Sequence, residues 1–335
     1  MARPMDPTLR VRDIVSVEHW EHYYRQGGLV TCPTGPDRNY TLEARQVWED
    51  LFAELPHGSC IVDIGTGNGA VVLIARETAV AAGKTFEIHG VDLARISPES
   101  DVSGGAELFA GIRFHPEVDA ARLPFPDSSV DALTGHYALE YTDVGATLLE
   151  ARRVLRAGGC AMFVVHNSES VVVRNAEFSF GQFRLLFDET RLLRKLRRFV
   201  EAECVTPGRN RSEWLAVTGA LRRVEERIAA AELPQPALLM ARDLVRELMS
   251  TPRGSSLGQL NARIDRVSAE LRDSWRRLSD LQRCALDEAA IDRLVAIGSA
   301  VGLGRPEYRQ LLHAGQHLIG WQVRFRREPD SGLRR

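Results

Sequence analysis

The residues best placed to do chemistry are an aspartate and three alternating glycines, Asp63-Ile64-Gly65-Thr66-Gly67-Asn68-Gly69, following the apolar pair Ile61-Val62. Glycine admits positive φ and lacks the Cβ that would hold the backbone off a ligand, so bare N–H groups can approach a cofactor. The pattern predicts a buried strand that turns into a cradling loop and then a helix. From Ala70 onward, Val71, Val72, Leu73, Ile74 and Ala75 supply the helix side that packs on a sheet, and residues 86–91 form a second strand delivering Asp92. A carboxylate about 20 residues past such a loop, at a strand's end, is placed to accept hydrogen bonds from ribose hydroxyls.

Two cofactor classes use this logic. A nicotinamide dinucleotide usually goes with GxGxxG, whose third glycine would fall at Ala70. Here the spacing is GxGxG with an acid two residues ahead, and it resembles the first motif of the class I S-adenosylmethionine-dependent methyltransferases. The run Val118-Asp119-Ala120-Ala121-Arg122-Leu123-Pro124-Phe125-Pro126-Asp127-Ser128-Ser129-Val130-Asp131 is similar to that family's region before strand four. Leu155-Arg156-Ala157-Gly158-Gly159 ahead of the apolar residues 161–165 is similar to its turn into strand five. The resemblance covers about residues 40–167 and, more loosely, the C-terminal tail.

The resemblance implies S-adenosyl-L-methionine as cofactor. Asp63, Gly65, Thr66 and Gly67 would hold its methionine portion, Asp92 with Leu93 the ribose, and Asp119 with Ala120 the adenine; His136 and Tyr24 complete the expected contacts. Catalysis with an activated sulfonium rests mainly on holding the acceptor in line with the S–CH₃ bond. Oxygen or nitrogen acceptors also need a proton removed, and a base of near-neutral pKa would serve. The candidates stand where strand four ends, His136 and Tyr137, and where strand five ends, His166 beside Asn167. Many small-molecule members of the family carry Leu-Glu-His after strand four, whereas Leu139-Glu140-Tyr141 here has tyrosine in place of the histidine. There is no Asn-Pro-Pro-Tyr-type tetrapeptide after strand four, and Asp143 alone does not make a divalent-cation site of the catechol type. The expectation is methyl transfer to an oxygen or nitrogen of a small or medium organic acceptor. The alternatives are an RNA or protein methyltransferase, or an inactive cofactor-binding regulatory partner.

The elements that must position these residues follow from periodicity. Residues 17–26 have helical spacing and dense aromatics, and Tyr24, just before the Gly27-Gly28 break, is placed to close over the methionine end of the cofactor or to seal the sheet edge. A helix over 42–55 leads into the first strand. Helices and strands then alternate to His166, the βαβ pattern of a parallel sheet. From about 173 to 304 no strand is expected; helical segments are punctuated by Pro207-Gly208, Pro234-Gln235-Pro236 and Pro252-Arg253-Gly254. Leu257, Leu260, Ile264, Val267, Leu271, Trp275, Leu278 and Leu281 recur at steps of three or four and predict one long amphipathic helix. A further helix over 287–301, stopped by Gly302-Leu303-Gly304, and strands over 310–313 and 317–326 close the chain. The expected fold is therefore α/β, a doubly wound Rossmann-like seven-stranded sheet with a large helical insertion after strand five. Its parts are N-terminal helices over 1–56 covering the cofactor site, a core of 57–170 with 286–328, and an insertion of 171–285 acting as lid or dimerisation element.

Bulk properties exclude several classes. The 335 residues are 44% hydrophobic with a formal net charge of −2, enough for a large core and against a general polyanion-binding surface. No apolar run approaches about 18 residues and residues 1–12 lack an apolar signal core, so a cytoplasmic protein without a membrane span is expected. Cys32, Cys60, Cys160, Cys204 and Cys284 are scattered, with no CxxC pair and no clustered histidines, so neither disulfides nor a metal are expected. Residues 176–285 carry 20 Arg plus Lys against 15 Asp plus Glu, an excess of 5. Arg191, Arg194, Lys195, Arg197 and Arg198 alternate there with Leu192, Leu193, Leu196 and Phe199, a pattern of a solvated helix face or of a nucleic-acid, acidic-protein or membrane contact. The expected partner is a small-molecule acceptor, with a homodimer through the insertion as a further possibility.

Overall fold

The computed structural model describes residues 17–30, 39–250 and 256–328. After two N-terminal helices, α1 (Glu18–Tyr24) and α2 (Leu42–Glu54), the chain enters β1 (Cys60–Ile64), α3 (Ala70–Ala81) and β2 (Glu87–Val91). Two single turns, α4 (Pro98–Asp101) and α5 (Gly105–Leu108), precede β3 (Ile112–His115), β4 (Val130–His136), α6 (Val144–Val154) and β5 (Leu155–Val165). The last elements are α12 (Glu288–Ala300), β6 (Leu303–His313) and β7 (His317–Arg327). The seven strands form one sheet in the order β3-β2-β1-β4-β5-β7-β6. The first five are parallel; β7 runs antiparallel to both β5 and β6.

Strand alternation decides which helices cover which face. Ile61, Ile88, Ala132, Met162 and Val164 share one core with Val47, Trp48, Leu51 and Phe52 of α2 and with Val71, Val72 and Ile74 of α3. Val62, Ile64, Leu133, Phe163 and Val165 face the other way, onto Leu148 and Ala151 of α6 and Ile291 and Leu294 of α12. The sheet is thus covered on both sides, which is why β1 reads as an unbroken apolar run and is buried at all five positions. Strand five begins earlier than its apolar core suggests. Leu155 already pairs with Val130, and the next pairing is Ala132 with Cys160, so Gly158-Gly159 lie in a bulge within the strand and not in a separate turn. Likewise β6 starts at Leu303, directly after the helix, not at residue 310; its register shifts between Gly304 and Glu307, which the half-exposed edge accommodates.

By contacts the chain divides into two compact units, one ending at Val173 and resuming at Asp280, the other Arg174–Ser279. The second is helical: α7 (Val171–Arg184), a π-helical turn Leu185–Glu189, α8 (Leu192–Val205), α9 (Arg211–Ala229), α10 (Pro236–Ser250) and α11 (Leu257–Cys284). Pro207-Gly208 separates α8 from α9 and Pro236 opens α10, where its missing N–H costs no helical bond. Pro252-Arg253-Gly254 and Cys32 lie outside the described residues. Most of the stripe on α11 packs within its own unit, where Leu260, Ile264, Val267, Leu271 and Leu278 meet Leu192, Leu196, Val217 and Leu244, while Leu257 and Trp275 are exposed. On α8 the leucines Leu192, Leu193 and Leu196 are buried, while Arg191, Arg194 and Arg198 are exposed and Arg197 pairs with Asp265. The basic residues are therefore the outer face of an amphipathic helix. No helix among the described residues is long and apolar enough to cross a membrane.

Candidate cofactor and acceptor site

The loop after β1 holds its shape through glycine. Gly65, Gly67 and Gly69 have φ of +56°, +52° and +86°, a region other residues enter only with strain. At each a side chain would also collide: a Cβ on Gly65 would lie 2.5 Å from the Ala138 Cβ, one on Gly67 2.7 Å from the Tyr24 ring, and one on Gly69 2.9 Å from the Phe109 ring. The loop is tied to the end of β2. Thr66 N–H donates to the Val91 carbonyl at 3.0 Å, and Gly67 N–H donates to Asp92 Oδ2 at 2.8 Å. The end of α1 is tied down too, because the Asn68 amide donates to the carbonyls of Tyr24 (2.8 Å) and Gly28 (2.9 Å). Tyr24 thus lies on the second glycine itself.

Both carboxylates are buried, and burial raises both pKa values. Asp63 is pushed up to about 7, with Thr134 Oγ–H donating to Oδ1 at 2.7 Å as the main counterweight. Asp92 is pushed up to about 6, opposed by the backbone N–H groups of Ala94 and Gly67. Among the described residues no arginine or lysine pairs with either. A ligand carrying an ammonium group and hydroxyl donors would supply what they lack, so the donor set fits S-adenosylmethionine. The adenine candidates sit alongside: Val118 N–H donates to the Asp92 carbonyl at 2.9 Å, which brings Asp119 and Ala120 next to the ribose candidates Asp92 and Leu93. Asp119 is exposed and accepts the Ala121 N–H at 2.9 Å; Ala120 is buried.

At the carboxyl ends of β4 and β5 four side chains meet. His136 takes the indole N–H of Trp48 on Nδ1 at 2.9 Å, which places its proton on Nε2, and Tyr40 stacks on its ring with centroids 3.9 Å apart. Tyr137 has φ +56°, stacks on the His166 ring at 3.8 Å, and donates its hydroxyl to the Ile319 carbonyl at 2.9 Å. Glu140 accepts the His166 N–H on Oε1 at 2.7 Å. His136 Nε2, His166 Nδ1 and Glu140 Oε2 are all buried without a hydrogen-bond partner.

Burial also sets the protonation of the candidate imidazoles. His166 is buried, and desolvation lowers its pKa to about 3; the same cause, with the neighbouring His166, holds His136 well below the ordinary imidazole value. Both rings stay neutral at physiological pH. Burial pushes Glu140 the other way, up to about 8. Glu140 was legible only as the middle of Leu139-Glu140-Tyr141; its link to strand five has no sequence signal. Nor do Tyr40 and Trp48 have one, although Tyr40 also borders a cavity of about 520 Å³ together with Gly27, Asn39, Thr41, Leu73 and Glu77.

A methyltransferase-domain family matches residues 62–163, the segment from β1 through β5 that carries the glycine loop, Asp92, Asp119 and His136. That segment is similar to the class I S-adenosylmethionine-dependent methyltransferases. Among proteins similar to this chain, a ubiquinone/menaquinone biosynthesis C-methyltransferase of Xanthomonas axonopodis pv. citri is 26% identical over 164 residues, 46% of this chain and 64% of that protein. The protein of the same name from Caulobacter vibrioides is 36% identical over 126 residues, 34% of this chain and 48% of that one. A dimethylglycine N-methyltransferase of Parasynechococcus marenigrum is 28% identical over 118 residues, covering 34% and 40%. The chain thus spans less than two thirds of the length of these curated relatives.

Proposed function

We propose that this protein transfers a methyl group from S-adenosylmethionine to an oxygen or nitrogen atom of a small or medium organic acceptor. The observation that carries the reading is the bond between Gly67 N–H and Asp92, which joins the glycine loop and the ribose-type carboxylate at the carboxyl ends of adjacent parallel strands. The cofactor supplies a methyl group already activated on a sulfonium. The chain's own residues do the rest. Asp63, Gly65, Thr66 and Gly67, with Tyr24 above them, hold the methionine portion; Asp92 with Leu93 holds the ribose and Asp119 with Ala120 the adenine. Tyr137 and the neutral rings of His136 and His166 shape the acceptor side, and Glu140, whose Oε2 has no partner, takes the acceptor's proton.

A ring carbon is the second reading, favoured by the quinone-biosynthesis C-methyltransferases among the relatives. Incubation with methyl-labelled S-adenosylmethionine and a panel of phenols, amines and quinols, followed by NMR of the product, tests both. Label on oxygen or nitrogen supports the first reading and label on ring carbon the second; no transfer to any member, with cofactor bound, favours the regulatory alternative.

A further inference from the structure

Strand register assembles a group of side chains that their sequence separation hides. Cys60 opens β1 and Glu87 opens β2, and the two are directly paired across the parallel ladder. His89, two residues on from Glu87, projects to the same face. One donor atom from each, the Cys60 Sγ, a Glu87 oxygen and a His89 nitrogen, lies within 4.8 Å of the other two. The His89 Nε2 to Glu87 Oε1 distance is 3.3 Å, about the edge of a tetrahedron with zinc–ligand bonds near 2.0–2.1 Å.

Around these three is the support that ligating side chains usually have. His89 Nδ1 is 3.0 Å from His115 Nε2, so with Nε2 given to a metal the ring would donate Nδ1–H to His115. Arg113 Nη2 holds Glu87 Oε1 at 2.8 Å, fixing that carboxylate. The Phe125 ring packs edge-on against both imidazoles, at 5.0 Å from His89 and 5.6 Å from His115, and gives the site an apolar wall. Cys60 and His89 are buried, whereas Glu87 is exposed and leaves an approach from solvent.

We propose that Cys60, Glu87 and His89 bind a zinc ion, with His115 as the positioning residue for His89. One sulfur, one nitrogen and one carboxylate oxygen suit a borderline cation and not magnesium or calcium, which take oxygen ligands. Binding releases the Cys60 thiol proton to solvent, so thiolate and carboxylate together balance the dication, and the fourth position is left to water. The site lies at the amino ends of β1 and β2, with Cys60 about 16 Å along the strand from the glycine loop at roughly 3.3 Å per residue, so it clamps two core strands and takes no part in methyl transfer.

The test is titration of the chelator-treated protein with Co²⁺ in place of zinc. One equivalent should bind with a thiolate-to-cobalt charge-transfer band; Cys60→Ser should abolish the band, and His89→Ala and His115→Ala should each weaken binding roughly ten- to a hundredfold. Absence of the band in the native protein, or its persistence in Cys60→Ser, overturns the proposal. Should the variants fail to fold, alkylation mapped by mass spectrometry on the native chain decides: Zn²⁺ should protect Cys60, and equal labelling with and without Zn²⁺ overturns the assignment.

Discussion

Glu140 accepts the backbone N–H of His166 through Oε1 at 2.7 Å, so one carboxyl group pins the ends of β4 and β5 to each other while its second oxygen stays buried and unpartnered. Its burial raises the pKa to about 8 from an ordinary value of 4.5. The folded state therefore binds a proton that the unfolded chain releases, and this group withdraws stability as pH rises from about 4.5 to about 8.

Glu140→Gln keeps the acceptor for the His166 N–H and removes the titration. The variant should lose less stability than the native protein between pH 6 and 9 in thermal melts. Its turnover should fall by roughly 10². The native pH–rate profile should rise through about 8 and the variant's should be flat. A native profile that rises instead near the ordinary imidazole value of about 6.5 would return the base to His166.

Asp63 behaves similarly at the other end of the site. Its pKa of about 7 means that the ligand-free protein carries a buried charge at pH 8 with only threonine hydroxyls, Thr134 first and Thr66 second, to hold it. Asp63→Asn should stabilise the ligand-free protein at pH 8 by on the order of 2–4 kcal/mol, keep the Thr134 bond, and lose most cofactor affinity. Melting curves at pH 5 and pH 8 check the sign: the gain should be clearly smaller at the lower pH and vanish only below the ordinary carboxylate value of 3.8. Destabilisation at pH 8 would mean that Asp63 has a cationic partner this account lacks.

The contact between Tyr24 and Gly67 predicts non-additivity. Gly67→Ala introduces a methyl 2.7 Å from the ring as well as an unfavourable φ, whereas Tyr24→Ala removes the ring. The double variant should be more stable than the sum of the singles by about 0.5–3 kcal/mol, leaving only the backbone strain. Additive single effects in denaturant titrations would show that the ring does not rest on the loop. Gly67→Val, which adds β-branching, should abolish cofactor binding outright.

Much of this site is written in local sequence. The strand–loop–helix from Ile61 through Ala75, Asp92 at the end of β2 and the closing antiparallel pair follow from apolar periodicity and glycine spacing, because those signals act over a few residues. The long α11 and the helix that starts at Asp287, whose side chain accepts the Ala290 N–H, are legible for the same reason. What escaped depends on contacts between distant segments. Nothing near His166 announces that Tyr137 stacks on its ring and that Glu140 accepts its N–H, so the burial that lowers its pKa has no local signal. Cys60, Glu87 and His89 look scattered until parallel register brings β1 beside β2. The start of β5 was hidden by Gly158-Gly159, which read as a turn but sit in a bulge.

The most direct test is calorimetric titration of the native protein and of Asp92→Ala with S-adenosylmethionine, with NADH as the control ligand. Asp92 accepts Gly67 N–H and Ala94 N–H at 2.8 Å each, so it is fixed where the loop and β2 meet and is the group assigned to the ribose. The native protein should bind S-adenosylmethionine at one site, and the variant, folded by its melting curve, should bind roughly ten- to a hundredfold more weakly, as expected for one lost charge-assisted hydrogen bond. Equal affinity of the two proteins, or tighter binding of NADH than of S-adenosylmethionine, would contradict the assignment of this site.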